Sequence, residues 1–158
     1  MPDVTLRPIE LGDEGFLYTV YASTRLEELA QTGWSEPQKE TFLRQQFDAQ
    51  SSYYEENYRG ATFDVILSGG RPVGRLYVAR WQEEIRIVDI ALLPEHRGMG
   101  IGTHLLNALI SESEETDKPL SIHVERFNPA LRLYERLGFH EVEDKGVYLL
   151  MERPPSAR

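Results

Sequence analysis

A glycine-dense turn joins an apolar segment to a helix-like one at Leu92-Leu93-Pro94-Glu95-His96-Arg97-Gly98-Met99-Gly100-Ile101-Gly102-Thr103, and it is the stretch of this chain best suited to hold a ligand. Glycines carry no side chain to keep a ligand off the backbone, so several amides can point outward together. The start of the following helix adds partial positive charge that favours a nearby anion by a few tenths to about 2 kcal/mol. Arg97 brings a full charge to the same turn. The chemistry is that of an anion cradle, although a tight strand-to-helix turn without a ligand also accounts for the glycines. Spacing removes two phosphate-binding schemes. A Walker loop needs lysine before its Ser or Thr, and Gly102-Thr103 has none. A dinucleotide fingerprint opens a parallel strand-helix-strand unit, whereas Gly98-Met99-Gly100-Ile101-Gly102 follows what reads as an antiparallel meander and has the wrong third spacing.

Other chemistries are excluded by what the chain lacks. It contains no cysteine, which removes disulfides, thiolate nucleophiles and sulfur-ligated zinc. The four histidines, His96, His104, His123 and His140, show no HxxxH or HExxH spacing, so no metal centre is expected. The 158 residues, 41% hydrophobic and 27% charged, provide for one packed domain spanning 1–158. With 17 Lys and Arg against 26 Asp and Glu, the net charge of -9 argues against a general grip on nucleic acid or anionic lipid. Ile85 to Leu93, the longest strongly apolar stretch, is interrupted by Arg86 and Asp89 and falls far short of the roughly 20 residues that span a bilayer. The first residues lack the basic start and apolar run of a signal peptide, so the expected address is cytoplasmic.

The elements that must position the glycine turn follow from periodicity. Val4 to Ile9 alternates as a strand whose Pro8 marks an edge or an end. Asp13 reads as the N-cap of a helix bearing Phe16, Leu17, Val20, Tyr21, Leu26 and Leu29, with Gly33 as its stop. Ser35 or Glu36-Pro37 starts a second helix bearing Phe42, Leu43 and Phe47. Ala61 to Leu67, Val73 to Trp81 and Ile85 to Leu93 then read as three antiparallel strands. Ile101, Leu105, Leu106, Leu109 and Ile110 share one helix face, closed by the acidic, solvated run 111–117. Leu120 to Val124 reads as a buried strand, Asn128-Pro129 as an N-cap and first helical residue, Ala130 to Leu137 as a short helix and Gly138 as its stop. Phe139 to Val142 and Val147 to Met151 read as closing strands, and 153–158 as a frayed or extended tail. The sum is a mixed α/β arrangement with a strand-helix-strand unit inside a largely antiparallel sheet.

Arg97-Gly98-Met99-Gly100-Ile101-Gly102 resembles the R/Q-x-x-G-x-G/A signature of the GNAT superfamily of N-acetyltransferases. Asn128-Pro129-Ala130-Leu131-Arg132-Leu133-Tyr134-Glu135-Arg136-Leu137-Gly138-Phe139 resembles that family's other recurring segment, a helix that carries a tyrosine and ends in Gly-Phe. The likeness is strong over about Val73 to Glu152. It implies an acyl-CoA N-acyltransferase fold, with a mostly antiparallel central sheet, a splayed parallel pair and about four flanking helices. It also implies acetyl-CoA as co-substrate, with its pyrophosphate on the amides of Arg97, Gly98, Met99, Gly100, Ile101, Gly102 and Thr103. The pantetheine arm would pair with Ala91, Leu92 and Leu93, an amide near Leu92 would stabilise the oxyanion, and Asn128 would cap its helix and touch the arm.

By the same resemblance Tyr134 protonates the leaving thiolate, a role open to a phenol that stays protonated at neutral pH. His123 occupies a strand position where relatives that modify N-terminal alanine place a glutamate, and it is the first candidate for the base that relieves the acceptor amine of its proton. Asp89 is the second and an ordered water relay the third; Glu83 and Glu84 trail. Tyr134 stands six positions after Asn128 where many relatives have seven, which leaves the register of His123 against Tyr134 open by one. Acceptor recognition would fall to Arg25, Glu28, Trp34, Gln45, Tyr53, Tyr54 and Tyr58 on the first two helices and the loop between them, although ordinary packing explains each of them singly. The implied reaction is direct transfer to a primary amine of a small molecule or peptide in a ternary complex, with neither nucleic acid nor membrane as partner and a homodimer left open. The alternative is a non-catalytic acyl-CoA-binding or interaction module on the same fold.

Overall fold

Strand alternation and helix periodicity assemble into one seven-stranded mixed sheet of order β1-β2-β3-β4-β5-β7-β6 in a computed structural model that describes residues 3–156. Its strands are β1 (Val4–Pro8), β2 (Thr62–Ser68), β3 (Arg71–Arg80), β4 (Ile85–Leu92), β5 (Leu120–Glu125), β6 (His140–Asp144) and β7 (Tyr148–Arg153). Five α-helices accompany them, where about four were expected: α1 (Glu14–Ser23), α2 (Leu26–Ala30), α3 (Glu36–Asn57), α4 (Ile101–Thr116) and α5 (Leu131–Arg136). The extra one arises because the first expected helix breaks at Thr24-Arg25. There the hydroxyls of Ser23 and Thr24 donate back to the carbonyls of Val20 and Tyr21, both at 2.7 Å, and offer the backbone an alternative to continuing the helix.

One N-cap differs from the sequence reading, and another holds its place without its expected bond. Asp13 ends a 3-10 turn, Leu11–Asp13, and stands at the N-cap of α1 as expected, but its side chain does not cap the helix: its carboxylate accepts two 2.8 Å bonds from Arg7 and one from the amide of Glu10. The bonds from Arg7, ahead of that from the Glu10 amide, hold the Asp13 carboxyl down at about 2. Asn128 precedes α5 by three residues; its Oδ1 accepts from the amide of Ala130 at 2.8 Å, forming a turn, and Ala130 is the helix cap. Ser35 caps α3 as expected, exchanging bonds with Gln38 in a capping box. The tail is tethered rather than frayed as far as it is described, because the Ser156 amide donates to both oxygens of Glu114; Ala157 and Arg158 lie outside the described residues.

The main core lies on one sheet face, where Leu76, Val78, Ile85, Ile87, Ile122 and Val124 meet Ile101, Leu105, Leu106 and Leu109 of α4 and Tyr134 of α5. A second cluster, Leu17, Tyr21, Leu29, Leu43 and Phe47, joins α1, α2 and α3. Strand β4 decides the site's shape. Tyr77 lies opposite Asp89 but Val78 opposite Ile87, so Val88 is a bulge and side-chain parity changes there. Ile85 and Ile87 before it, and Ile90 and Leu92 after it, all join the main core, which turns Arg86 and Asp89 to the other face. Parallel pairing with β5 runs only from Ile85↔Leu120 to Ile87↔Ile122. Past the bulge the two strands separate and leave a gap between 88–92 and 123–125, the expected splay.

Gly74 lets β3 follow β4 through this bend. A Cβ built on it would stand 2.2 Å from the carbonyl oxygen of Ala91 and 3.1 Å from Leu92 Cα, both backbone atoms. Gly74→Ala is expected to lower the urea unfolding midpoint, at unchanged slope, by the equivalent of about 1–3 kcal/mol. An unchanged midpoint would mean that the two strands have room to part.

Candidate active site

Local sequence shapes the glycine turn directly. After the 3-10 turn Pro94–His96, Gly98 (φ 74°) and Gly100 (φ 87°) both take left-handed backbone, and Gly100 is the N-cap of α4. The first helical bond runs from the His104 amide to the Gly100 carbonyl, so the amides of Ile101, Gly102 and Thr103 precede any intrahelical partner. No side chain caps them, and no acidic residue stands in the first turn of α4. Those features favour an anion. Arg97 folds back over the turn, its Nε donating to the Leu92 carbonyl at 3.0 Å and its Nη2 lying 3.4 Å from Ser23 Oγ.

Antiparallel pairing fixes which β4 backbone groups face the gap. Leu93 donates to Val73 at 2.9 Å and Ala91 lies opposite Arg75, so both turn toward β3. The alternation then points the N–H groups of Ile90 and Leu92 away from β3 and into the gap. Leu92 is the expected donor; Ile90, which sequence reading did not single out, is its equivalent two residues earlier.

Tyr134 projects from α5 on the main-core side of the gap, where it is buried and meets Phe139 edge-on. Burial, and after it the negative charge of Asp89, push its hydroxyl up to about 12. His123 is the first β5 residue past the last parallel pair, and strand parity turns it to the opposite face from Ile122 and Val124. Its Nδ1 lies 3.4 Å from Nη1 of Arg86 and its Nε2 3.1 Å from Nζ of Lys145. Burial first, then these two cations, lower its pKa, with Glu143 and Glu84 opposing.

Asp89, the second base candidate, belongs to a buried network. Its Oδ2 accepts from Arg75 Nη2 at 2.8 Å and from the Tyr54 hydroxyl at 2.7 Å, its Oδ1 accepts from Arg75 Nε at 3.3 Å, and Gln50 completes the shell of Arg75. With its oxygens accepting three hydrogen bonds, two of them from Arg75, the Asp89 carboxylate is the anchor of this network. Arg75 and Gln50 escaped sequence reading, yet a charged residue within the apolar run of β3 was the available signal.

The proposed acceptor-side residues divide. Arg25, freed by the helix break, reaches Glu125 at the end of β5 (3.0 Å) and Glu28 (3.1 Å), and so spans the open end of the gap. Tyr58 stacks on Trp81 with Tyr53 against its edge, and Arg86 lies over Trp81. Trp34 and Gln45 instead line an outer groove with Pro37 and Phe42. Among the described residues no helix is long and apolar enough to cross a membrane, and no group of three or more His, Asp or Glu is placed to hold a metal ion.

The model of the acetyltransferase (GNAT) family matches residues 23–139. The chain is 37% identical over 67 residues to the [ribosomal protein bS18]-alanine N-acetyltransferase of Haemophilus influenzae, a match covering 42% of this chain and 46% of that protein. It is 38% identical over 60 residues to an N-alpha-acetyltransferase of Sulfurisphaera tokodaii, covering 36% of each. The matches thus span less than half the length of these curated relatives. Among solved structures, the PaiA N-acetyltransferase of Thermoplasma acidophilum in complex with coenzyme A superposes with a TM-score of 0.72 at 17% identity, covering 96% of this chain and 99% of that one.

Proposed function

The chain belongs to the acetyltransferase (GNAT) family, whose members use acetyl-CoA as co-substrate, and on that premise we propose that it moves an acetyl group from acetyl-CoA to a primary amine by direct attack in a ternary complex. One observation carries this reading. The gap between β4 and β5 ends at the uncapped start of α4 and has Tyr134 on one face and His123 on the other. The absence of cysteine is consistent with direct transfer, because no thiol is present to carry the acetyl group.

In this reading the amides of 97–103 hold the diphosphate, with Arg97 turning from Leu92 toward it. The Leu92 amide donates to the thioester oxygen as charge develops there, a type of donor worth about 3 kcal/mol. Asn128, with its side-chain oxygen engaged by Ala130, retains its amide NH2 for the pantetheine arm. Tyr134 gives its proton to the departing sulfur. His123 takes the proton of the incoming ammonium at Nε2, once the acceptor amine has displaced Lys145 from that nitrogen. The names of the curated relatives favour a peptide or protein amine as acceptor, reached past the Arg25–Glu125 pair.

The test is release of free thiol from acetyl-CoA in the presence of peptides with free N-termini, polyamines, aminoglycosides and amino acids. Amine-dependent release is expected with at least one class. Tight coenzyme A binding with no release across the panel would overturn the enzymatic reading. The pH profile tests the base. Protonation disables His123, so kcat/KM falls as pH drops through its pKa. Because that pKa is lowered, the acidic limb should lie below the ordinary histidine value of 6.5. His123→Ala should abolish this limb, and an unchanged limb would return the role to a water relay.

A further inference from the structure

The atom that stands against the proposed base is an amine belonging to the protein itself. Lys145 occupies the turn between β6 and β7, is exposed, and places Nζ 3.1 Å from Nε2 of His123. We propose that Lys145 is an acetylation site of this protein, modified in cis by its own active centre. The inference rests on the reading of His123 as base.

Three observations support it. First, the turn is anchored so that the lysine is aimed: the Lys145 amide donates to Tyr148 at 2.9 Å, and Arg126 binds both Asp144 and the Gly146 carbonyl. Second, Nζ of Lys145 lies within hydrogen-bond distance of Nε2 of His123, so the tautomer with its proton on Nδ1 accepts from the ammonium, while Arg86 at 3.4 Å stands at the limit of a hydrogen bond. Third, His123 flanks the point where β4 and β5 separate, which is where the acetyl end of the co-substrate lies in the proposed reading.

The step balances. His123 takes one proton from the Lys145 ammonium and passes it to solvent. The freed lone pair on Nζ attacks the thioester carbonyl carbon, the C–N bond forms and the C–S bond breaks. Tyr134 protonates the sulfur, and the second proton lost by nitrogen makes good the one Tyr134 gave. The products are Nε-acetyl-Lys145 and coenzyme A. Acetylation removes one of the two cations beside His123, so the modified protein would carry a differently poised base.

The chain has three lysines, which makes the experiment clean. Lys39 pairs with Glu36 on the surface of α3 and Lys118 donates to the Trp81 carbonyl, so each serves as an internal control for unassisted acetylation. Purified protein is incubated with acetyl-CoA alone, and peptide mass spectrometry follows acetyl gain at each lysine with time. Lys145 is expected to react about 100-fold faster than Lys39 and Lys118, with a rate constant unchanged on dilution of the protein. His123→Ala, checked to bind coenzyme A, should bring Lys145 down to the control rate, and Lys145→Arg should abolish the fast phase. Equal rates at the three lysines, or a fast phase that survives His123→Ala, would overturn the inference. His123-dependent thiol release with an added amine while Lys145 stays unmodified would overturn the inference alone. Loss of both reactions would overturn the base assignment with it.

Discussion

Asp89→Asn is expected to destabilise the protein by about 3–5 kcal/mol, the cost of breaking a buried ion pair by removing one partner. Arg75 retains only 3% of its surface, and its fork makes two of the three bonds that Asp89 accepts. An asparagine can accept at one end of its amide, but it carries no charge and presents an NH2 toward the other donor. The guanidinium would then be buried with Gln50 as its remaining strong acceptor. Tyr54 would lose the acceptor at 2.7 Å that, after burial, contributes most to holding its hydroxyl well above the usual tyrosine range. Urea unfolding of Asp89→Asn, Arg75→Met and the pair gives the coupling. The double variant should be less destabilised than the sum of the singles, because replacing both partners leaves no charge unpaired. A loss below about 1 kcal/mol for Asp89→Asn would show that solvent reaches the pair. The same experiment bears on function, since Asp89 adjoins the bulge at which β4 leaves β5.

Tyr134→Phe is expected to slow turnover by about 100- to 1000-fold while coenzyme A affinity changes little, the signature of an interaction made only as the C–S bond breaks. Phenylalanine keeps the ring in the core beside Phe139, so folding should be unaffected. Burial and then Asp89 push the phenol up to about 12, which keeps its proton in place throughout the range in which the protein can be assayed. No basic limb of the wild-type profile should therefore belong to Tyr134. Calorimetric titration with coenzyme A, alongside steady-state thiol release, separates the two effects. Equal turnover in the variant would remove the acid role, and weaker binding with unchanged kcat would make Tyr134 a packing residue.

Features carried by contiguous residues were legible in the chain. The glycine turn, the α4 stripe Ile101, Leu105, Leu106 and Leu109, and the helix start at Ser35 depend on neighbours a few positions away, and spacing alone exposes them. Asp13 keeps the N-cap position of α1, but Arg7 of β1 takes its carboxylate; the cap reading at Asn128 failed for a local reason, because its side chain closes a turn on Ala130, which is the helix cap. The break after Ser23 was marked only by the looser periodicity at Leu26. Its consequence, the reach of Arg25 to Glu125 across 100 residues of chain, had no local trace.

The sequence by itself determined the order of elements, the glycine turn before an amphipathic helix, and the absence of any cysteine thiol. Only the tertiary structure decided how the titratable groups are paired. The bulge at Val88 exists through its register against β3, and it alone puts Asp89 on the face of Arg75 and Tyr54 while Ile90 and Leu92 stay in the core. Whether a carboxylate is a base or an anchor, and whether an imidazole faces water or two cations, depends on atoms within 3–4 Å, and those come from elements far apart along the chain.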